Sequence, residues 1–274
     1  MTTDAEASAR FPRAPSQDAW DRMSEVERAA AVEALPASMT DAEASPPEGD
    51  LHYDAKNDAR ETLREWFRRR GKQVYVAAEL TTYYPDEPRF APDVLVVFDV
   101  PVHDRMKWVV SAEGRGLDWV LEVHVGGDRK KDAELNVTRY ARLGIPEYFI
   151  YDRARQHLTG YRLAPGATAY TRIVPQAGRY PSEVLELELS LQHGRLCFFH
   201  ANAELLTPRD LAARLEGMVA ELERERDAEA ERARTEAERA RTEAERARTE
   251  AERAQRAEDE LNRLRAELER RSRD

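Results

Sequence analysis

The sequence predicts an α/β domain followed by a long C-terminal α-helix, and three patterns carry that prediction. Between residues 53 and 70, Ala59, Leu63, Trp66 and Phe67 recur on one helical face. Residues 92–100 and 117–125 are almost continuously apolar, as strands covered on both faces are. Beyond them, Ala-Glu-Arg-Ala-Arg-Thr-Glu repeats unchanged from Ala230, Ala237 and Ala244, a period of seven that belongs to a long helix.

The chain has 274 residues, more than the roughly 150–200 that one core needs. Charged residues make up 35% of it, against roughly 25% in an ordinary globular domain, and much of the excess follows Glu204. The expected organisation is a mostly disordered arm with one short helix over 1–49, a globular domain over 50–203 and a charged helix over 204–274. A net charge of −10 and a pI near 5.3 argue against a broad basic surface coating nucleic acid, though not against a local basic groove. Cys197 is the single cysteine, which excludes an intrachain disulfide framework or a cysteine zinc cluster. Its neighbours Leu196 and Phe198 place it in a buried strand rather than at a reactive surface. No basic-then-apolar leader opens the sequence and no run approaches the ~18 apolar residues that span a bilayer. The expectation is a cytoplasmic protein without a membrane contact.

In the arm, Ser24 is a candidate N-cap for a helix over 24–35. Pro46-Pro47-Glu48-Gly49 punctuates the chain before the helix of residues 53–70, which Gly71 ends. Residues 72–80 alternate Val74, Val76 and Ala78 and predict a strand. Strands over 92–100 and 117–125 follow. Gly126-Gly127-Asp128 closes the last of these, residues 129–143 return to helical spacing, and Gly144 ends that helix. Residues 147–151 make an aromatic strand, and 158–163, 169–174, 183–189 and 196–199 a trailing antiparallel set. The order is helix, three strands, helix, strand, then further strands.

In the C-terminal region, alanines from Ala230 to Ala254 alternate in spacing by three and four, and the seam continues through Ala257, Leu261, Leu264 and Leu268. Alanine gives up about 0.8 kcal/mol for each methylene it lacks, so pairing energy would rest on Leu261, Leu264 and Leu268 with Leu211, Leu215, Met218 and Leu222. Leu222 and Ala230 lie eight apart, a slip that argues against one uninterrupted supercoil. Two readings fit: a homodimeric coiled coil, or a solitary helix supported by i,i+4 pairs such as Arg232 with Glu236 and Arg239 with Glu243.

Asp93 follows Pro92 at the head of one apolar run, and Glu122 lies in the other as Glu122-Val123-His124. In this element order the pair resembles the PD-(D/E)XK nuclease superfamily. The resemblance extends through Gly127-Asp128-Arg129-Lys130-Lys131-Asp132 and the run Tyr140-Ala141-Arg142-Leu143-Gly144-Ile145-Pro146-Glu147-Tyr148-Phe149-Ile150-Tyr151-Asp152, which is similar to the Uma-two family of restriction endonucleases over about residues 51–163. It implies a restriction-endonuclease-like core in which Asp93 and Glu122 bind Mg²⁺ or Mn²⁺, with the Val123 carbonyl as a further ligand, and DNA as substrate. The residue types suit that chemistry, because Mg²⁺ takes hard oxygen ligands and keeps sites for water and phosphate.

The chain departs from the pattern in one respect. The superfamily's lysine falls two residues after the glutamate, where this sequence has His124, and a lysine on the following helix would fall at Asn136. His124 can orient water or act as a base, and Lys130 and Lys131 stand at the helix start, so all three join Asp93 and Glu122 as candidate catalytic residues. Arg60, Arg64 and Arg68 share a helix side with Glu61 and Glu65 and predict a solvated face, and His52 predicts a capping or packing role. The functional expectation is a metal-dependent endodeoxyribonuclease dimerised through its C-terminal helix. The alternative is a catalytically reduced nuclease fold that binds or scaffolds through that helix.

Overall fold

The computed structural model describes residues 12–40, 49–126 and 130–271, the side chains of 130–133 and 267–271 excepted. In chain order its elements are α1 (Gln17–Arg22), α2 (Glu25–Ala34), α3 (Asp50–Arg69), β1 (Val74–Ala77), β2 (Thr82–Tyr83), β3 (Val94–Phe98), β4 (Trp108–Val109), α4 (Val110–Glu113), β5 (Trp119–His124), α5 (Lys130–Arg142), β6 (Glu147–Asp152), β7 (His157–Arg162), β8 (Thr171–Arg172), β9 (Tyr180–Ser182), β10 (Leu187–Gln192), β11 (Arg195–His200), β12 (Ala203–Glu204) and α6 (Pro208–Arg271). The predicted α/β core and long C-terminal helix are both present. These residues fall into two compact units, divided between Leu211 and Ala212.

The main sheet has the strand order β1-β3-β5-β6-β7-β8. All its pairings are antiparallel except β5 with β6, whose connection passes through α5. Central strands need cover on both faces, and two apolar clusters supply it. On one face Ala55, Ala59, Leu63 and Phe67 of α3 pack on Val94, Val96, Trp119 and Leu121, and Leu187, Leu189 and Phe198 of the four-stranded sheet β12-β11-β10-β9 join them. On the other, Tyr140 of α5 and Ile145 pack with Leu95, Val97, Val120 and Tyr148. This two-sided cover explains why β1 is buried at every position despite its period-two spelling. Gly71 and Gly144 stop their helices with φ of 65° and 74°, a left-handed turn that costs glycine little.

Two predicted elements differ, and two short strands are additional. Residues 12–40, part of the segment 1–49 expected to be a mostly disordered arm with one short helix, carry two helices and dock on the parallel pair β2-β4. Ser24 caps α2 in a capping box with Glu27, as its position predicts, while Ala14 and Leu35 close against Tyr83 and Val109. The Lys107 ammonium bonds the Val32 carbonyl at 2.6 Å and the Leu35 carbonyl at 2.5 Å, satisfying the end of α2 with a cation that suits its dipole. The predicted strand 183–189 is broken because the Leu185 N–H donates to Ser182 Oγ at 3.1 Å, a side-chain turn that separates β9 from β10. The strands β2 and β4 are two residues each, too short for periodicity to register. The Pro46-Pro47-Glu48 punctuation lies outside the described residues.

Cys197 is buried in β11, and burial pushes its thiol up to about 12, which makes it an inert core residue. The described side chains of α6 from residue 212 onward are exposed, among them Leu215, Met218, Leu222, Leu261 and Leu264. Arg234 pairs with Glu231 at 3.8 Å and Arg256 with Glu252 at 4.0 Å, in place of the expected Arg232–Glu236 and Arg239–Glu243 pairs. No helix among the described residues is long and apolar enough to cross a membrane.

Candidate metal centre

Asp93 immediately precedes β3, and Glu122 lies near the end of β5. Because Val94 pairs with Leu121, the antiparallel register brings the two carboxylates to the same end of adjacent strands. The Val123 N–H donates to Asp93 Oδ2 at 2.7 Å, fixing one carboxylate to the neighbouring strand. From α5, the buried Tyr140 hydroxyl donates to Glu122 Oε1 at 2.8 Å. The two carboxyl groups are neighbours that act on each other electrostatically, and one of them holds a proton more readily than the other.

Electrostatics decides which. Burial drives the Glu122 carboxyl well above its ordinary value, and the adjacent Asp93 charge adds to that. Burial opposes ionisation of Asp93 too, but hydrogen bonds from His52 and the Val123 N–H outweigh it and hold Asp93 below its ordinary value. Two neighbouring carboxylates cannot both ionise at little cost unless a cation lies between them. Glu122 is thus the member of the pair that holds a proton more readily.

Two elements that the sequence did not implicate complete the cluster. His52, expected to cap or pack at the start of α3, places Nε2 at 3.0 Å from Asp93 Oδ1. Glu79 follows β1 at a turn with φ of 50°, anchored by its N–H to the Pro92 carbonyl at 3.0 Å. One donor atom each from His52, Glu79 and Asp93 lies within 4.8 Å of the others. Two carboxylates and an imidazole, with Glu122 beside them, fit a divalent cation of the Mg²⁺ to Mn²⁺ class, and the imidazole favours Mn²⁺. Lys56, one helical turn beyond His52, is 6% exposed and bonds Glu79 Oε1.

The other sequence candidates are dispersed. His124 ends β5 half-buried on the same strand face as Glu122, in register with Asp152. Lys130 and Lys131 begin α5, and their side chains, like residues 127–129, lie outside the described residues. Arg60 and Arg64 pair with Glu61 and Arg68 with Glu65, a self-compensated solvated face. Glu147 from the aromatic-strand motif is structural: it is fully buried and accepts from Arg162 Nε at 2.9 Å, the Ser182 hydroxyl and the Glu183 N–H at 2.9 Å.

Spacing in the sequence contained one usable sign of the missed residues. His52 and Lys56 lie at i,i+4 and share the helix side that continues through Ala59 and Leu63, so a cation stands on an apolar stripe. Glu79 offered no such sign, because only the turn after β1 brings it in.

A mixed sheet with a helix on each face, and two neighbouring carboxyl groups at one end of its central antiparallel pair, has the architecture of a restriction-endonuclease-like core. Residues 40–194 match the model of the Uma2 family, described as "Putative restriction endonuclease". That match spans more than half of the chain, which belongs to the Uma2 family. Among solved structures, a protein of Anabaena variabilis described as a "putative nuclease belonging to DUF820" is similar over 53% of this chain and 80% of that one, with 15% identity and a TM-score of 0.42. No curated protein matches the chain.

Proposed function

We propose that this chain is a metal-dependent endonuclease that hydrolyses DNA phosphodiester bonds, with Asp93 and Glu122 as metal ligands assisted by His52 and Glu79. The observation that carries the proposal is the register that sets Asp93 and Glu122 side by side at one end of adjacent strands, a pair whose full ionisation calls for a cation. When bound, Mg²⁺ or Mn²⁺ supplies Lewis acidity toward water and the scissile phosphate. Glu122 would hold the metal through its carboxylate, which the Tyr140 hydroxyl positions by donating to Oε1. Asp93 stays ionised under the combined hold of His52 and the Val123 N–H. His124, two residues beyond Glu122 on the same strand face, orients water or takes its proton. Lys130 and Lys131 stand where the helix dipole disfavours cations, a placement that suits a phosphate nearby.

Self-association through α6 belongs to the same proposal, because its repeated seam is uncovered within the chain. Two copies would present two sites, which suits cleavage of both strands. The domain limits 1–49, 50–203 and 204–274 are part of this reading, with residues 12–40 attached to the core.

A second reading, a nuclease fold reduced to binding or scaffolding, is favoured by His124 and Asn136 standing where the superfamily and family patterns carry lysine. Incubation of supercoiled plasmid with Mg²⁺ or Mn²⁺ separates the two. Nicking that is lost in Asp93→Asn and Glu122→Gln supports the enzyme. Metal binding without nicking supports the second reading.

A further inference from the structure

We propose that Lys56 is the cation of this site, held by Glu79 while the metal is absent and released toward the scissile phosphate when the metal takes Glu79. The proposal rests on the metal-centre reading above. Three observations lead to it. First, the Lys56 ammonium is enclosed, with its side chain 8% exposed, whereas the side chain of its partner Glu79 is 61% exposed. Burying an ammonium costs several kcal/mol unless it is well paired, and a carboxylate reaching in from solvent is a weak reason to keep a lysine there. Second, Lys56 lies one turn from His52 on the same helix side, so the residue beside Asp93 and the buried cation approach from one direction. Third, Glu79 is shared: its carboxylate bonds Lys56 and is also one of the three groups clustered at the candidate metal centre.

A metal drawing on Glu79 would therefore compete with Lys56 for one carboxylate. The released ammonium retains its three donors and stands beside a site in which negative charge grows on phosphate oxygens. This places a lysine in the site from α3, far in sequence from residues 124 and 136.

Competition and catalysis give opposite signs in one variant, which a purely structural lysine would not do. In the full-length protein, Lys56→Met is expected to bind Mn²⁺ about tenfold more tightly by calorimetry, since a neighbouring positive charge is gone. At saturating Mn²⁺ its plasmid cleavage is expected to fall by about 100-fold or more, the usual loss when one charge-stabilising donor is removed. Lys56→Arg should recover part of the cleavage. Looser or unchanged Mn²⁺ affinity in Lys56→Met, or undiminished cleavage, overturns the proposal. Should Lys56→Met fail to fold, Glu79→Gln tests the pair from its solvent side: Mn²⁺ affinity should drop about tenfold, and unchanged affinity overturns the proposal. Wild type that binds no Mn²⁺ removes the metal-centre reading and this one with it, whereas binding that is lost in Asp93→Ala but unchanged in Lys56→Met removes this one alone.

Discussion

Asp93 and Glu122 are neighbours whose surroundings push their carboxyls in opposite directions, and the pH dependence of the metal-free protein follows from that. Glu122 has an ordinary value of 4.5 and lies well above it when folded, so the folded state holds the extra proton and stability declines as pH rises from 4.5 toward the folded value. Asp93 is shifted the other way from 3.8. Its contribution is present above that value and is lost as pH falls through the lower folded value. Thermal melts in EDTA should therefore find Glu122→Gln equal to wild type near pH 4 and more stable than wild type at pH 8, with the gap widening between. A gap that does not change with pH would contradict the protonation assignment. Tyr140→Phe leaves a buried carboxyl without its donor and should cost about 1–3 kcal/mol in urea unfolding. At this scale the adjacency of Asp93 and Glu122 was legible, because a proline-aspartate and a glutamate mark two apolar runs that pair as neighbouring strands. His52 needed the tertiary contact, since a histidine at a helix start is also what a cap looks like. Glu79 was hidden in a turn whose geometry no spacing encodes.

Among elements, α3 links stability to the site: Leu63 and Phe67 bury its inner stripe while His52 and Lys56 reach the carboxylates from the same helix. Leu63 is fully buried, and Leu63→Ala should cost about 2–5 kcal/mol of unfolding free energy, measured by urea titration. The long elements were readable because each has many periods: α3, α5, α6 and the strands β3, β5 and β6 appear where their patterns place them. The N-terminal helices were read too weakly. Their docking depends on Tyr83 and Val109, partners supplied by two short strands to the flanking Ala14 and Leu35, and on Lys107, a surface-looking residue that satisfies the end of α2. The break between β9 and β10 was lost for a similar reason, since one serine hydroxyl decides it.

At the scale of the whole molecule, the exposed Leu215, Met218, Leu222, Leu261 and Leu264 of α6 predict that the full chain sediments as a dimer at micromolar concentration. A chain ending at Leu211, the limit of the first compact unit, should sediment as a monomer and keep its melting temperature. A monomeric full chain would instead favour the solitary helix. Family membership rests on residues 40–194 and leaves α6 to be explained by its own repeat. The most direct test of the account is a calorimetric titration of Mn²⁺ into the full-length protein and into Asp93→Ala at pH 7.5. Saturable binding by wild type with proton release, as Glu122 loses its proton, and no binding by the variant are the predicted results. Absence of binding by wild type, or equal binding by both proteins, would contradict a metal centre at Asp93 and Glu122.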